Sequence, residues 1–213
     1  MNYIENIFVC IAAPLIIAVF CLRGKSRRMM LFQLSGMLMC LLSAYISSFI
    51  AAVQGADPLS ASLEISPLVE EVMKLLPVMF YLIVFGAGNE DAANAVLMTA
   101  AGFATFENVC YLTQNGAESI FALAVRGFGT GAMHIVCGCM AALGITLLRG
   151  HKWIKNAGAL ALLAVSMTFH GSYNILVSQT GIAAYIGYAI PLVSAVTILV
   201  AVNRKKDLFK DKK

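Results

Sequence analysis

Apolar residues fill this chain in long runs, broken by short polar stretches rather than alternating with them. Crossing a bilayer core takes roughly 20 apolar residues in a helix. By that length, seven runs are predicted as spanning helices, near 4–22, 29–53, 63–86, 92–113, 119–148, 156–178 and 182–202. The connections are short: RGKSRR, QGADPLSAS, GAGNED, QNGAES, RGHKWIK and SQTG. The fifth run is the longest, and its first turns, around 118–128, are expected to lie along the interface or to kink at the glycines. The tail NRKKDLFKDKK reads as a polar helix end that frays. The pattern predicts an all-α polytopic integral membrane bundle of about seven helices, forming one membrane-embedded domain over 1–213.

Composition supports that reading. Hydrophobic residues make up 60% of the chain and charged residues 12%, against roughly 25% charged in a soluble domain. Mean hydropathy is +0.84. No stretch remains for a separate soluble domain, and no basic surface interleaved with aromatics points to nucleic acid. The net charge of +4 matters less than its placement. All but two of the 15 lysines and arginines sit in alternate connections and the tail, and the opposite connections hold none. The positive-inside bias then places the N-terminus outside and the C-terminus in the cytoplasm. Residues 4–22 lack a basic region in front and a small-residue cleavage site behind, so they are read as a first span rather than a leader. The cysteines (Cys10, Cys21, Cys40, Cys110, Cys137 and Cys139) all lie in apolar runs and are expected as buried small hydrophobes. The C-x-C spacing of Cys137 and Cys139 matches neither a redox pair nor a zinc ribbon.

The exceptions to the apolar runs carry the chemistry. An ionisable residue within a span costs about 2.5–3.5 kcal/mol to insert, so those that persist are functional candidates. They are Glu64 near a helix start, then Glu70, Glu71, Lys74, Glu107, Arg126, His134 and His170, with Asn108 and Asn174 adding amides. At 1.5 Å per residue, Glu70, Glu71, Glu107 and His170 all fall about 9–12 Å below the outer boundary. His134 joins them if the membrane part of its helix begins near Arg126. Four helices thus carry acids and imidazoles to one level. Glu70 and Glu71 stand four and three residues before Lys74, so either can pair with it. Phe103 and Glu107 share a face, as do His170 and Asn174. Pro77 is a candidate kink. Gly127 and Gly131 form a GxxxG pair, with Gly138 nearby, and are expected to serve close helix packing. His151 lies in a basic connection and is expected to be solvated.

Two chemistries suit such a set. Two histidines and a carboxylate can hold a zinc-like ion with a fourth position open to water, while a further glutamate takes the water's proton. Alternatively, a glutamate and a histidine activate water without metal, and an asparagine stabilises the oxyanion. The expected ligands are Glu107, His134 and His170. Glu70 or Glu71 is the expected general base, with Lys74 setting its ionisation. Asn108 and Asn174 are expected to orient groups or stabilise the oxyanion, and Arg126 to be structural or substrate-facing. Single buried polar residues also serve as glue between helices, so the weight rests on their shared depth.

Four short motifs occur in order, each on its own span. EEVMK at 70–74 matches EExxK, FATFEN at 103–108 matches FxxxEN, His134 follows, and HGSYN at 170–174 supplies a closing HxxxN. Over about 60–178 this order resembles the PrsW family of intramembrane proteases, relatives of the CAAX prenyl proteases and of bacteriocin-immunity-type membrane proteases. The resemblance implies a bacterial plasma membrane and site-1 cleavage of a membrane-tethered anti-sigma factor, which frees a stress-response sigma factor after further proteolysis. It implies either a metallopeptidase or a glutamate-type hydrolase, and a single-span substrate in the bilayer.

Two other classes use similar residues. An ion- or proton-coupled transporter also buries Glu, Lys and His, but its polar path crosses both leaflets and its helices break in repeats. A non-catalytic immunity or scaffold protein of the same fold tolerates loss of the acids and histidines. A retinal-type receptor is excluded because the seventh run contains no lysine.

Overall fold

The computed structural model describes residues 4–86, 88–116, 119–147 and 155–210. The expectations for His151, for most of the RGHKWIK connection, for position 118 and for the last three residues of the tail lie outside the described residues. The elements in chain order are α1 (Ile4–Cys21), α2 (Gly24–Gln54), a single turn α3 (Pro58–Ser60), a π-helical turn (Ala61–Ile65), α4 (Ser66–Phe85), α5 (Asn89–Asn115), α6 (Ile120–Leu147), α7 (Lys155–Val177) and α8 (Ile182–Lys210). The described residues contain no strand.

The bundle is inverted relative to a soluble protein. Large apolar side chains such as Phe20, Phe49, Ile83 and Val193 point outward, while Glu71, Lys74, His134 and His170 are buried. So extensive an apolar surface fits a lipid surround. Six helices (all of the long ones except α4) are long and apolar enough to cross a membrane. α4 has the length, at 20 residues, but Glu70, Glu71 and Lys74 lower its apolar character. Packing offsets this, because Glu71 and Lys74 turn inward.

α2 and α5 form the most extensive contact in the bundle. Two glycines make it possible. A Cβ on Gly36 would lie 2.0 Å from the Thr99 carbonyl oxygen, and one on Gly102 would lie 2.0 Å from that of Gln33. The backbones therefore touch where side chains would hold them apart. α1 rides outside this pair, with Phe8 meeting Phe106 edge-on at 5.4 Å. At one end of the bundle, Val78, Ala95, Val96, Ala141 and Ala142 form an apolar cluster of α4, α5 and α6.

Several expectations are corrected. RGKSRR is not a loop: α2 begins at Gly24, so these cations occupy its first turns. There they pair across the bundle, Lys25 with Glu90 at 2.7 Å and Arg28 with Asp91 at 3.4 Å. The connection after α2 contains structure of its own. Gly55, at φ 65°, ends α2, and Asp57 accepts from the Leu59 and Ser60 backbone N–H groups to start α3. As expected, the tail is the end of a helix, α8, which runs through Lys210; Pro77 lies inside α4. Only Cys40 and Cys137 among the cysteines are buried; Cys10 and Cys21 are exposed on the apolar outer surface. The close approach in α6 is not at Gly131, which has open space beside it. It falls at Gly129 against Tyr188 and, as expected, at Gly138 against Ala100, because those positions face α8 and α5.

Candidate functional site

Four helices converge on one buried network. Glu71 and Lys74 are one turn apart on α4, and Lys74 Nζ donates to Glu71 Oε1 at 2.5 Å. Of the two pairings open to Lys74, the structure takes the i, i+3 one. The same Oε1 meets His170 Nδ1 of α7 at 2.8 Å. An ionised carboxylate only accepts, so His170 carries its proton on Nδ1 and turns Nε2 the other way. Nε2 lies 3.7 Å from Glu70 Oε2.

His134 of α6 is fully buried at the centre. Its Nδ1 is 3.0 Å from Lys74 Nζ, and its Nε2 hydrogen-bonds Glu107 Oε2 of α5. An ammonium only donates, so Nδ1 accepts and Nε2–H donates to Glu107. Its ring stands edge-on to that of His170, with centroids 5.1 Å apart. Phe103, one turn before Glu107, packs its ring 5.1 Å from His134 and 5.1 Å from Lys74 Nζ. The shared face of Phe103 and Glu107 thus addresses one imidazole.

Arg126 holds the outer side of this network. It donates to Glu107 Oε1 at 3.2 Å and to Asn108 Oδ1, and stacks 4.0 Å from the Tyr111 ring centroid. Asn108 Nδ2 donates to the Gly127 carbonyl at 3.4 Å. Asn174 Nδ2 donates to the Ser62 carbonyl at 2.9 Å, tying α7 to the π-helical turn that leads into α4. Both amides therefore flank the histidine–carboxylate centre and hydrogen-bond elsewhere. Glu64 lies in the same turn, exposed.

Glu107, expected as a ligand, hydrogen-bonds His134, while Glu70 is the carboxylate whose oxygen clusters with a nitrogen of each histidine. Glu70, His134 and His170 each offer one ligand atom, all within 4.8 Å of one another. Glu107 is instead held between Arg126 and His134. Glu70 Oε2 is buried and has no hydrogen-bond partner. A carboxyl oxygen without a hydrogen-bond partner, facing the imidazoles, fits a cation, which would satisfy it. Both Glu70 and Glu107 line a cavity of about 920 Å³. Its wall takes in the start of α1, the end of α2, the π-helical turn and the end of α5, so it lies at the end of the bundle opposite the Lys25–Glu90 pair.

The sequence motifs did not single out Ser62, Thr130 or Tyr173. Thr130 and Tyr173 join α6 to α7 through a hydroxyl pair at 2.7 Å beside the centre. The Tyr173 signal was available, since it lies inside HGSYN.

No curated protein and no solved structure matches this chain. A family model described as PrsW family intramembrane metalloprotease matches residues 25–202, from the first turn of α2 to the apolar part of α8. The match covers every residue of the network, and it means that the chain belongs to the PrsW family and is a membrane-embedded peptidase.

Proposed function

We propose that the protein is an intramembrane endopeptidase that cuts a membrane-tethered protein near its extracytoplasmic side, in the role of site-1 protease for an anti-sigma factor. The observation that carries this reading is the convergence of Glu70, His134 and His170 within 4.8 Å, with Glu70 lining a large cavity and the two histidines buried behind it. The cavity lies at the bundle end that the positive-inside bias places outside. Toward the other end the Val78 cluster packs α4, α5 and α6 together, and a separate groove of about 800 Å³ lies beside α2 and α4. The two cavities share no lining residue, which suits hydrolysis in the first rather than a path through both leaflets. In this reading α4 is the seventh span, and the setting is a bacterial plasma membrane.

Glu70, His134 and His170 would hold the ion, and zinc is the proposed one. Bound there, a zinc ion lowers the pKa of water and polarises the scissile carbonyl. The protein's own groups do the rest. Glu71 fixes the His170 tautomer, so that Nε2 presents its lone pair toward Glu70. Lys74 keeps Glu71 ionised. His134 has both nitrogens engaged, and its one lone pair, on Nδ1, would become free when Lys74 releases it. Glu107 faces the cavity and is the proposed base for the attacking water, with Arg126 aiming its carboxylate. Asn108 and Asn174 hold Arg126 and the π-helical turn in place.

The test uses purified protein and a fluorogenic single-span peptide. Wild type is expected to cleave it, to stop after chelation and to recover with Zn²⁺, with about one equivalent of metal bound. Cleavage that persists in chelator with no bound metal would assign the reaction to the glutamate–histidine chemistry instead.

A further inference from the structure

The cavity leading to the centre has a second feature that the catalytic residues do not explain. Two buried side-chain atoms among the described residues lack a hydrogen-bond partner, Glu70 Oε2 and Ser47 Oγ, and both residues line this cavity. Helical hydroxyls in this chain commonly fold back on a carbonyl three or four residues earlier. Ser35 and Ser43 on α2 do so, as does Thr99 on α5. Ser47 does not, although it is 6% exposed. In a low-dielectric setting an unpaired hydroxyl is costly, so its partner is expected to come from elsewhere.

The surroundings say what that partner is. Ser43, Ser47 and Ala51 follow one another at four-residue spacing on the buried face of α2, and Ala44, Ser48 and Ala52 widen the same wall. So small a wall lets another backbone come close. A substrate helix must unwind before water can reach its peptide carbonyl, and unwinding strips main-chain N–H and C=O groups of their partners. A hydroxyl both donates and accepts, so it can satisfy either group.

We propose that this α2 wall is the substrate cleft, that it takes an extended peptide segment, and that Ser47 Oγ hydrogen-bonds the segment's main chain. A large side chain aimed at α2 would hold that main chain out of reach. The residue facing Ser47 is therefore glycine, alanine or serine. This rests on the peptidase reading above and adds the substrate class to it.

The experiment has two arms, both on the full chain in nanodiscs. In the first, quenched single-span peptides differ at one outer position, carrying Gly, Ala, Ser, Leu or Phe. Ser47→Ala is expected to raise KM about five- to tenfold, the loss of one neutral hydrogen bond, with kcat and the pH profile unmoved. Ser47→Leu is expected to abolish cleavage, and wild type to reject the Leu and Phe peptides. In the second arm, a photo-cross-linking residue replaces Ala52 or, as control, Phe80, in the Glu70→Gln background. Cross-links to the Ala peptide are expected from position 52 and not from 80. An unchanged KM in Ser47→Ala, or equal cross-linking from both positions, overturns the cleft. Cross-linking at 52 together with no cleavage of any peptide by the wild-type protein supports the cleft and overturns the peptidase centre, so the two failures are distinct.

Discussion

Two ion pairs of nearly equal length occupy opposite surroundings. Lys25 meets Glu90 at 2.7 Å with side chains 55% and 79% exposed, whereas Lys74 meets Glu71 at 2.5 Å with 6% and 4% exposed. The first joins the starts of α2 and α5 at a helix end, where such pairs contribute little. The second sits inside the bundle, where desolvation opposes it and a well-packed apolar pair would serve stability as well or better. Stability therefore does not explain why Glu71 and Lys74 are present. Their contacts do, since each holds one of the two histidines: Glu71 His170, and Lys74 His134.

The most direct way to break this comparison is to neutralise the buried acids one at a time. Glu70→Gln is expected to lower the cleavage rate by about 10²–10⁴-fold, the range for losing a group that acts on the reacting atoms. The variant should still fold, because Glu70 Oε2 has no hydrogen-bond partner to lose, and with metal removed from both its melting temperature should match wild type. Glu71→Gln removes a supporting contact to His170 and should cost about 10–100-fold, read as lost activity and weaker metal retention.

Stability sharpens the contrast. Lys74→Met leaves Glu71 buried without its cation and should destabilise the fold by about 3–5 kcal/mol, measured by thermal or denaturant unfolding. The double change Glu71→Leu with Lys74→Met should recover most of that loss while activity stays absent. Recovery of both would mean that the pair is structural only. At the small end, Lys25→Ala should leave cleavage unchanged and move the melting temperature marginally.

The rim of the cavity supplies the one pH effect expected outside the spans. The Ser60 hydroxyl and the backbone N–H groups of Ser60 and Leu59 bond Asp57 and hold its carboxyl below the usual 3.8. A lowered folded pKa means that the cap contributes fully above that ordinary value and is lost as pH falls through the folded one. Asp57→Asn, which still accepts a hydrogen bond, should remove that acid sensitivity while keeping α3, as followed by amide exchange at Leu59 and Ser60.

Much of this was legible in the chain because the signals are local. Apolar runs mark helices without any knowledge of neighbours, and the helix bounds fall close to the expected ones. The motif spacings put Glu71 with Lys74 and Phe103 with Glu107 on shared faces, and depth counting brought four helices to one level. What escaped depends on tertiary partners. Arg126 and His134 both engage Glu107 while Glu70 lies with the two histidines, and no spacing within a helix reveals that. Gly36 and Gly102 set the α2–α5 approach, yet they sit in separate runs and match no GxxxG pattern, whereas the visible GxxxG residue Gly131 has room beside it for a side chain. The cationic turns of α2 resembled a loop because ion pairs to α5 are invisible in one dimension. Ser47 looked like any helical serine until its missing hydrogen bond was seen.

The measurement closest to the heart of this reading compares wild type with Glu70→Gln for two quantities on the same preparations, bound metal and cleavage of a single-span peptide. Wild type should hold one ion and cleave, while Glu70→Gln should stay folded, lose most of the metal and cleave at least about 10²-fold more slowly. A Glu70→Gln protein that keeps both metal and activity would contradict a centre built from Glu70, His134 and His170.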